Sequence, residues 1–297
     1  MGVSKVAVVG CGMMGRGIVE VAAAAGIEVT AIKATPGSLD GPREKIRQSL
    51  ERRVKRGKMT AEQCAAVLER VKFSSELAAV ADAEIVIESA VEDEQAKLDL
   101  LKTIEAKMHP EAVLATNTSS LRLQTLGKAL SRPDRFLGLH FFSPVPAMEL
   151  VELGGIEQTR EYALQRAEAF CQQIGKTAVR IKATPGYVVN RLLVPYLLHG
   201  IETLESGIAS AEGIDAAMKL GCGHPMGPLA LSDLIGLDVV HAMAETMARE
   251  LEQERYRIPR TLKQLLAENQ LGRKSGIGIY DYSGETPKLN PAIKIGK

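Results

Sequence analysis

The feature that most constrains the fold is a glycine-rich string near the start of the chain, Gly10-Cys11-Gly12-Met13-Met14-Gly15. It follows Lys5–Val9, a short valine-rich run that is typical of a buried parallel strand. A helix is predicted next over Ile18–Ala25, with Gly26 as its C-terminal cap, and Glu28–Ile32 then predicts a second strand. A strand, a glycine turn, a helix and a strand in this order predict the opening of a doubly wound α/β sheet.

The spacing of the three glycines matches the G-x-G-x-x-G pattern of dinucleotide-binding turns. Gly10 permits a tight turn, Gly12 lets the backbone approach a pyrophosphate, and Gly15 lets the helix pack against the strand. The N-terminus of the helix that follows the turn offers unpaired N–H groups and a positive dipole end to phosphates, and Met13 and Met14 of the turn are counted with the three glycines. These five residues are therefore predicted to bind a dinucleotide; the alternative is a purely structural glycine turn.

The residue after the second strand bears on the choice of cofactor. NAD-binding folds usually place an Asp or Glu there to bind the ribose hydroxyls. This chain has Lys33 at that point, and no acidic residue follows until Asp40. A lysine favours a 2′-phosphate, so the sequence raises the hypothesis that NADP is accepted or preferred. The alternative is a lysine exposed on a loop, with NAD as the cofactor.

The pattern along the chain predicts two domains. Helices are predicted over residues 41–57, 60–71, 94–108 and 160–174, and strands over residues 84–88, 112–115, 136–139, 148–153 and 177–181. After the sequence Ala183-Thr184-Pro185-Gly186 strand patterns almost disappear, and helices are predicted over residues 188–207, 210–220, 228–251 and 259–268. We expect a Rossmann-type α/β domain over residues 1–183, followed by an all-helical domain over residues 184–297.

Composition limits the classes of partner. The formal net charge is +1, which argues against a nucleic-acid surface. The four cysteines are far apart, which predicts free thiols, no metal site and a cytoplasmic location. No stretch is long and apolar enough to predict a membrane span. Helices of the second domain that are apolar on more than one face favour a homodimer through that domain.

One histidine and one glutamate stand out in the second half of the first domain. Glu152 lies within the apolar run Leu150-Val151-Glu152-Leu153, where a charge is costly unless it is paired. His140 follows another predicted strand twelve residues earlier, and a His–Glu pair would meet that need. The residues alone leave two interpretations open, a catalytic pair and a structural histidine. A polar cluster at Thr116-Asn117-Thr118-Ser119-Ser120 either lines a ligand crevice or forms an ordinary turn.

Taken together, these motifs resemble those of the short-chain L-3-hydroxyacyl-CoA dehydrogenases of the 3-hydroxybutyryl-CoA type. The resemblance covers nearly the whole chain. The segments that match the family pattern are residues 10–17, Ile87-Glu88-Ser89-Ala90 with Glu92-Asp93, residues 116–120, residues 140–146, residues 185–191, residues 221–228 and Gly272-Arg273-Lys274-Ser275-Gly276.

The resemblance implies hydride transfer between the C3 carbon of a short-chain (S)-3-hydroxyacyl-CoA and NAD or NADP. It implies that His140 is the catalytic base, that Glu152 orients it, and that Ser119 and Asn190 hold the substrate's C3 oxygen. Because Asn190 lies past the predicted boundary, domain closure would complete such a site. Cofactor contacts are implied for Glu92, Lys97, Ser119, Ser143 and Lys274, and CoA contacts for Ser49 and Arg56. Two positions depart from the family pattern: Ser143 replaces the usual Asn, and Lys33 replaces the usual acid.

The stretch from Arg43 to Lys58 carries eight basic residues, which Glu44 and Glu51 offset only partly. It is either a solvated helix face or a surface for the CoA phosphates. Two further hypotheses about the function stay open. One is a dehydrogenase of a hydroxy acid without CoA, as in related sugar-acid dehydrogenases and lens crystallins. The other is a non-catalytic nucleotide-binding protein.

Overall fold

The computed structural model describes residues 2–251 and 254–294. The chain divides into two compact units, residues 1–187 and residues 188–297. Each unit has its own hydrophobic core. The expected class is confirmed, an α/β part with a mostly parallel sheet followed by a helical part.

Eight strands of the described residues form one sheet in the first unit, in the spatial order β3-β2-β1-β4-β5-β6-β7-β8. Strands β1 to β6 run parallel, β7 pairs antiparallel with β6, and β8 runs parallel to β7. The strand order reverses at β1, and in such sheets ligands bind at the carboxyl ends of the strands beside this point. The strands are β1 (Lys5–Val9), β2 (Glu28–Ile32), β3 (Val71–Ser74), β4 (Ile85–Glu88), β5 (Val113–Thr116), β6 (Phe136–Phe141), β7 (Leu150–Gly155) and β8 (Thr177–Lys182).

Helices cover both faces of this sheet, because the central strands are apolar on both sides. Val6 and Val8 point to one face with the apolar residues of α1, α2, α3 and α6. Ala7 and Val9 point to the other face with those of α4 and α5. The helices are α1 (Met13–Ala24), α2 (Asp40–Lys55), α3 (Ala61–Glu69), α4 (Glu94–Glu105), α5 (Leu123–Lys128) and α6 (Glu161–Gln173).

The first unit departs from the sequence-based expectations at several elements. Helix α1 begins at Met13 rather than near residue 18, so the glycine turn is short. Strand β3 was not predicted: it begins at Val71, the last residue of the helix predicted over residues 60–71, and it pairs with β2 at the edge of the sheet. Helix α5 was not predicted. Strand β6 extends to Phe141, so His140 lies within a strand rather than after it.

The second unit is a bundle of helices around a single core. The helix predicted over residues 228–251 is two helices, because Gly236 has a backbone φ of 104° that interrupts it. The expectation of an all-helical domain is also corrected by a short antiparallel pair of strands. The elements are α7 (Val189–Glu205), α8 (Ala211–Cys222), α9 (Pro228–Ile235), α10 (Leu237–Leu251), α11 (Arg260–Ala267), β9 (Tyr280–Asp281) and β10 (Lys288–Leu289).

Within the described part of the chain, no helix combines the length and apolar character that crossing a bilayer requires.

Candidate active site

The glycine turn between β1 and α1 has the shape that a bound pyrophosphate requires. A Cβ on Gly10, where φ is 117°, would lie 2.2 Å from the carbonyl oxygen of Ser89, and one on Gly15 would lie 1.8 Å from the carbonyl oxygen of Gly10. A Cβ on Gly12 would meet no protein atom within 4 Å, so the backbone is open there. No side chain caps the N-terminus of α1, and its first turn contains no acidic residue. These features fit a dinucleotide phosphate at the positive end of the helix.

The end of β2 carries the lysine that the sequence singled out. The Lys33 ammonium donates to the carbonyl oxygens of Thr35 at 3.2 Å and Pro36 at 2.5 Å. Its side chain therefore folds back over its own loop, at the point where dinucleotide-binding sheets usually place a carboxylate. The Lys33 ammonium therefore places a positive charge at the carboxyl end of β2.

A buried ion pair lies behind the loops that follow β4 and β5. The Lys97 ammonium contacts the Glu88 carboxylate at 2.6 Å, and these side chains are 1 % and 0 % exposed. Glu88 also accepts from the Thr116 hydroxyl and from the backbone N–H of Ala90, both at 2.6 Å. A buried pair of charges needs such additional hydrogen bonds. Lys97, implied as a cofactor contact, is thus engaged with carboxylates of its own chain.

Glu92 links the loop after β4 to the loop after β5. Its Oε1 accepts from the Thr118 hydroxyl and from the backbone N–H of Ser119 and Ser120, at 3.0 and 3.2 Å. Its other oxygen lies 3.6 Å from the Lys97 ammonium. Burial acts to raise the pKa of Glu92, but the hydrogen bond from Thr118 and the charge of Lys97 outweigh it, so the pKa lies below its ordinary value. Glu92 is therefore an anion that fixes the backbone of Ser119.

The structure brings His140 and Glu152 together. They are directly opposite each other in the antiparallel register of β6 and β7, so both side chains point to the same face of the sheet. His140 Nδ1 lies 2.8 Å from Glu152 Oε2, and the residues are 5 % and 1 % exposed. Since an ionised carboxylate only accepts, Nδ1 carries the hydrogen and Nε2 is the basic nitrogen.

The loop beside this pair is tied down by Asn117. Its side-chain oxygen accepts from the backbone N–H of Phe141 at 2.9 Å, and its side-chain nitrogen donates to the Ser89 hydroxyl at 3.3 Å. Asn117 thus connects the carboxyl ends of β4, β5 and β6, next to His140.

A basic groove with a volume of about 550 Å³ lies along α2. Ser49 and Arg56, both implied as CoA contacts, line it, and so do Met13 and Ser143. The basic residues of its lining are Arg16, Lys45, Arg52, Arg53, Arg56 and Lys58. Lys45, Ser49 and Arg52 of α2, and Arg56 directly after its last residue, recur at spacings of four, three and four, which places them along one face of the helix. The one acidic residue of the lining, Glu20, lies 3.4 Å from Arg53.

Not every basic residue of α2 belongs to this basic groove. Arg47 pairs with Glu44 at 2.6 Å and also with Glu51, on another face of the helix. The Arg43 guanidinium lies over the Phe73 ring, 5.0 Å from its centre. The charges of α2 are therefore divided between a groove and a neutralised outer face.

Two of the implied site residues belong to the second unit. Asn190 is buried in the first turn of α7. The Lys274 ammonium pairs with the Asp238 carboxylate near the start of α10. Their proposed contacts with substrate and cofactor stay predictions.

Sequence reasoning assigned no individual role to Glu88, Thr116 or Thr118, which the structure places in the hydrogen-bond network of this site. Glu88 ends the apolar run Ile85–Glu88, so the cost of an unpaired buried charge, the argument that selected Glu152, applied to it equally. The two threonines lie within the polar cluster after β5, but nothing in the sequence shows which carboxylate each of them contacts.

Comparisons with known proteins agree with this arrangement. The family model described as "3-hydroxyacyl-CoA dehydrogenase, NAD binding domain" matches residues 5–184, and "3-hydroxyacyl-CoA dehydrogenase, C-terminal domain" matches residues 186–282. The chain is 43 % identical over 282 residues to a 3-hydroxybutyryl-CoA dehydrogenase of Mycobacterium tuberculosis, covering 94 % of this chain and 99 % of the relative. It is 39 % identical over 279 residues to one of Clostridioides difficile, covering 94 % and 99 %.

A solved structure gives the same result. The (S)-3-hydroxybutyryl-CoA dehydrogenase of Ralstonia eutropha superposes with a TM-score of 0.90 at 39 % identity, covering 95 % of this chain and 100 % of that one. Both units, the glycine turn and the buried His–Glu pair thus lie in a chain that belongs to the 3-hydroxyacyl-CoA dehydrogenase family.

Proposed function

We propose that the protein interconverts short-chain (S)-3-hydroxyacyl-CoA and 3-oxoacyl-CoA, with NAD as hydride acceptor or donor. The observation that carries the proposal is the buried His140–Glu152 pair at the carboxyl edge of a sheet whose first turn fits a dinucleotide. The names of the relatives, 3-hydroxybutyryl-CoA dehydrogenases, support the choice of substrate.

His140 is the proposed acid and base. In the oxidative direction its Nε2 takes the proton of the C3 hydroxyl, while the bound nicotinamide supplies the hydride acceptor. The Glu152 carboxylate accepts the hydrogen bond from Nδ1–H, with 2.8 Å between Nδ1 and Oε2, and it stabilises the imidazolium that results. In the reductive direction the same imidazolium returns the proton to the oxygen. Ser119 and Asn190 are proposed to hold that oxygen, and the hydrogen bond from the Ser119 backbone to Glu92 supports a fixed position for the former.

The basic groove is the proposed binding surface for CoA. Four arginines and two lysines line it, and its one acidic residue is paired with Arg53. CoA carries a diphosphate and a 3′-phosphate, and guanidinium groups bind phosphates by paired, charge-assisted hydrogen bonds. A hydroxy acid without CoA offers this groove no phosphate, which favours an acyl-CoA over the sugar-acid alternative.

The choice between NAD and NADP is proposed to depend on Lys33. NAD use follows from the family, whose model is named for an NAD binding domain. Lys33 adds a positive charge where a repelling carboxylate usually stands, which supports acceptance of NADP as well. Its hydrogen bonds to Thr35 and Pro36 would have to give way to a phosphate, which favours NAD as the better cofactor.

The test is a spectrophotometric assay with acetoacetyl-CoA and NADH or NADPH, with free acetoacetate as the comparison. We expect turnover of the CoA ester and little of the free acid. His140→Gln should lower kcat by about two to four orders of magnitude, because general acid–base catalysis contributes about that much. Near-normal turnover by this variant would remove His140 from the mechanism, and equal use of the free acid would favour the substrate without CoA.

The CoA surface is tested separately on α2. Arg52→Gln and Arg56→Gln should each raise the KM for acetoacetyl-CoA several-fold and leave the KM for NADH unchanged. Raising the ionic strength should weaken binding in the wild type more than in these variants, because exposed charges are screened. Arg47→Gln is the matched control, since Arg47 lies on the same helix but pairs with Glu44 and Glu51. A KM that rises equally in the control would refute the assignment of the groove.

A homodimer through the second unit and a cytoplasmic location are part of the same proposal. Leu192, Ile208 and Leu220 of that unit are 70 %, 78 % and 86 % exposed, and apolar side chains of this size favour an interface. Light scattering coupled to size-exclusion chromatography should give twice the mass of one chain, and the mass of one chain would contradict the dimer. The free thiols of all four cysteines support a reducing compartment.

A further inference from the structure

The imidazole of His140 has two aromatic neighbours besides Glu152. The Tyr187 ring lies parallel to it, with 4.9 Å between ring centres and 10° between planes. The Phe142 ring contacts the imidazole in a tilted arrangement, at 4.6 Å between centres. Glu152 therefore fixes one edge of the imidazole, and the Tyr187 ring covers one of the two faces of the imidazole.

The sheet is shaped to receive the Tyr187 ring. Gly138 and Gly154 are directly opposite each other, two residues along from the His140–Glu152 pair and on the same face. A Cβ on Gly138 would lie 2.6 Å from the Tyr187 hydroxyl oxygen, and one on Gly154 would lie 3.4 Å from Tyr187 Cε1. The glycine pair leaves a depression beside the His–Glu pair, and the ring occupies it.

The backbone at this point adopts a conformation that a tyrosine disfavours. Tyr187 has a φ of 47°, in the left-handed region, directly after Gly186 with a φ of 75°. Such strain persists only where the surroundings hold the residue, and it concentrates at functional positions. The side chain is buried, and its hydroxyl finds no hydrogen-bond partner among the described residues. The contacts that Tyr187 makes with its surroundings are therefore made by its ring rather than by its hydroxyl.

We infer that Tyr187 is a positioning residue for His140: its ring face holds the imidazole in plane and stabilises the imidazolium that forms when His140 takes a proton. This inference rests on the proposed function, because it assigns Tyr187 a task only if His140 moves a proton. An aromatic face attracts a cation, and parallel stacking fixes the direction of Nε2. Tyr187 acts through His140 and needs no contact with substrate.

The charges around this stack are few and identifiable within the first unit. Glu152 on β7 bonds to His140, and its charge and that of Glu92 after β4 both act on Tyr187. Lys97 lies 3.6 Å from Glu92 and offsets its charge in part. Burial, and then these two carboxylates, raise the pKa of the Tyr187 phenol well above its ordinary value, so the ring stays neutral in the working range.

The experiment compares an aromatic with two non-aromatic replacements. Tyr187→Phe keeps the ring face and removes only the hydroxyl without a partner, so it is the matched control. Tyr187→Leu removes the aromatic face, and Tyr187→Met fills the same depression with a flexible chain. The histidine C–H signals are followed by NMR from pH 5 to 9, and His140→Gln identifies the signal of His140 among the five histidines.

We expect the titration midpoint of His140 to fall by about 0.5 pH unit in the Leu and Met variants and to stay unchanged in Phe. The acidic limb of kcat/KM should move with it, and kcat should fall roughly tenfold because the imidazole is less well oriented. The KM for the CoA ester should change little. A purely structural contribution would lower the melting temperature but would not move the titration midpoint.

Three results would overturn the inference. One is a folded Leu or Met variant with the midpoint and kcat of the wild type. Another is a Phe variant that behaves like Leu, which would assign the effect to the hydroxyl. The third is failure of both non-aromatic variants to fold while Phe folds, which would make the ring purely structural. Failure of the proposed function is distinct, because His140→Gln would then retain turnover whatever the residue at position 187.

Discussion

Replacing Glu152 by Gln tests the acid–base pair most directly. The change keeps the size of the side chain but removes its charge, and its amide can donate to His140 Nδ1. That donation moves the hydrogen to Nε2, so the imidazole loses its basic nitrogen. The imidazolium also loses its counter-charge, because in the wild type Glu152 Oε2 lies 2.8 Å from His140 Nδ1.

The magnitude follows from the geometry and burial of the pair. Both charges are delocalised, so their centres are about 4 Å apart, and at an effective dielectric constant near 20 their attraction is about 4 kcal/mol. At about 1.4 kcal/mol for each factor of ten, this predicts a fall in kcat of about 10³-fold.

The assay is the steady-state oxidation of 3-hydroxybutyryl-CoA, with Glu157→Gln as the matched control. Glu157 is exposed just after β7, so the same substitution there should leave kcat unchanged. Circular dichroism establishes that Glu152→Gln is folded. A folded variant whose kcat lies within threefold of the wild type would refute the reasoning, since no anion would then be needed beside His140.

Three further predictions follow from other parts of the molecule. Lys33→Ala should lower kcat/KM for NADPH several-fold and leave that for NADH unchanged; an identical ratio in wild type and variant would exclude Lys33 from cofactor choice. Burial raises the pKa of Asp233 to about 6, so the folded second unit binds a proton that the unfolded chain releases near pH 4. Its stability should therefore fall from pH 4 to 6 and level off above, whereas Asp233→Asn should lose this slope in calorimetry; an unchanged slope would contradict the assignment. Gly138→Ala places a Cβ 2.6 Å from both the Tyr187 hydroxyl and Leu123 Cδ1, and should cost about 1–3 kcal/mol in urea unfolding; unchanged stability would show that the depression is not tightly filled.

The nucleotide-binding end of the sheet could be predicted because its constraints are local. Gly10, Gly12 and Gly15 are close in sequence. A Cβ on Gly15 would clash within the turn itself and one on Gly10 would clash with Ser89 after the neighbouring strand β4, whereas Gly12 leaves the backbone open. Strands β1 and β2 were predicted with their observed bounds, because apolar residues occupy both faces of each strand, which is typical of a strand buried on both sides. Strand β3 is partly exposed at the edge of the sheet, so the sequence lacks that pattern there.

The site depends on contacts that no local pattern contains. The cost of a buried charge predicted that Glu152 needs a partner, but the register of β6 and β7 is what places His140 opposite it. The stretch around Tyr187 has the pattern of a helix start, and its left-handed backbone was not foreseen. Tertiary packing of the ring against the sheet overrides the local preference at that residue.

The division of charge on α2 has a consequence for how the protein meets polyanions in solution. The whole chain carries 37 basic and 36 acidic residues, so its distant field is close to zero. The excess positive charge is concentrated in the basic groove, and at physiological salt its field decays within about 8 Å. Long polyanions such as nucleic acids therefore feel little attraction from afar. If the basic groove binds CoA as proposed, a compact phosphate ester is captured only once it has diffused to the mouth of the groove, and a nearly neutral protein then selects its anionic ligand at short range.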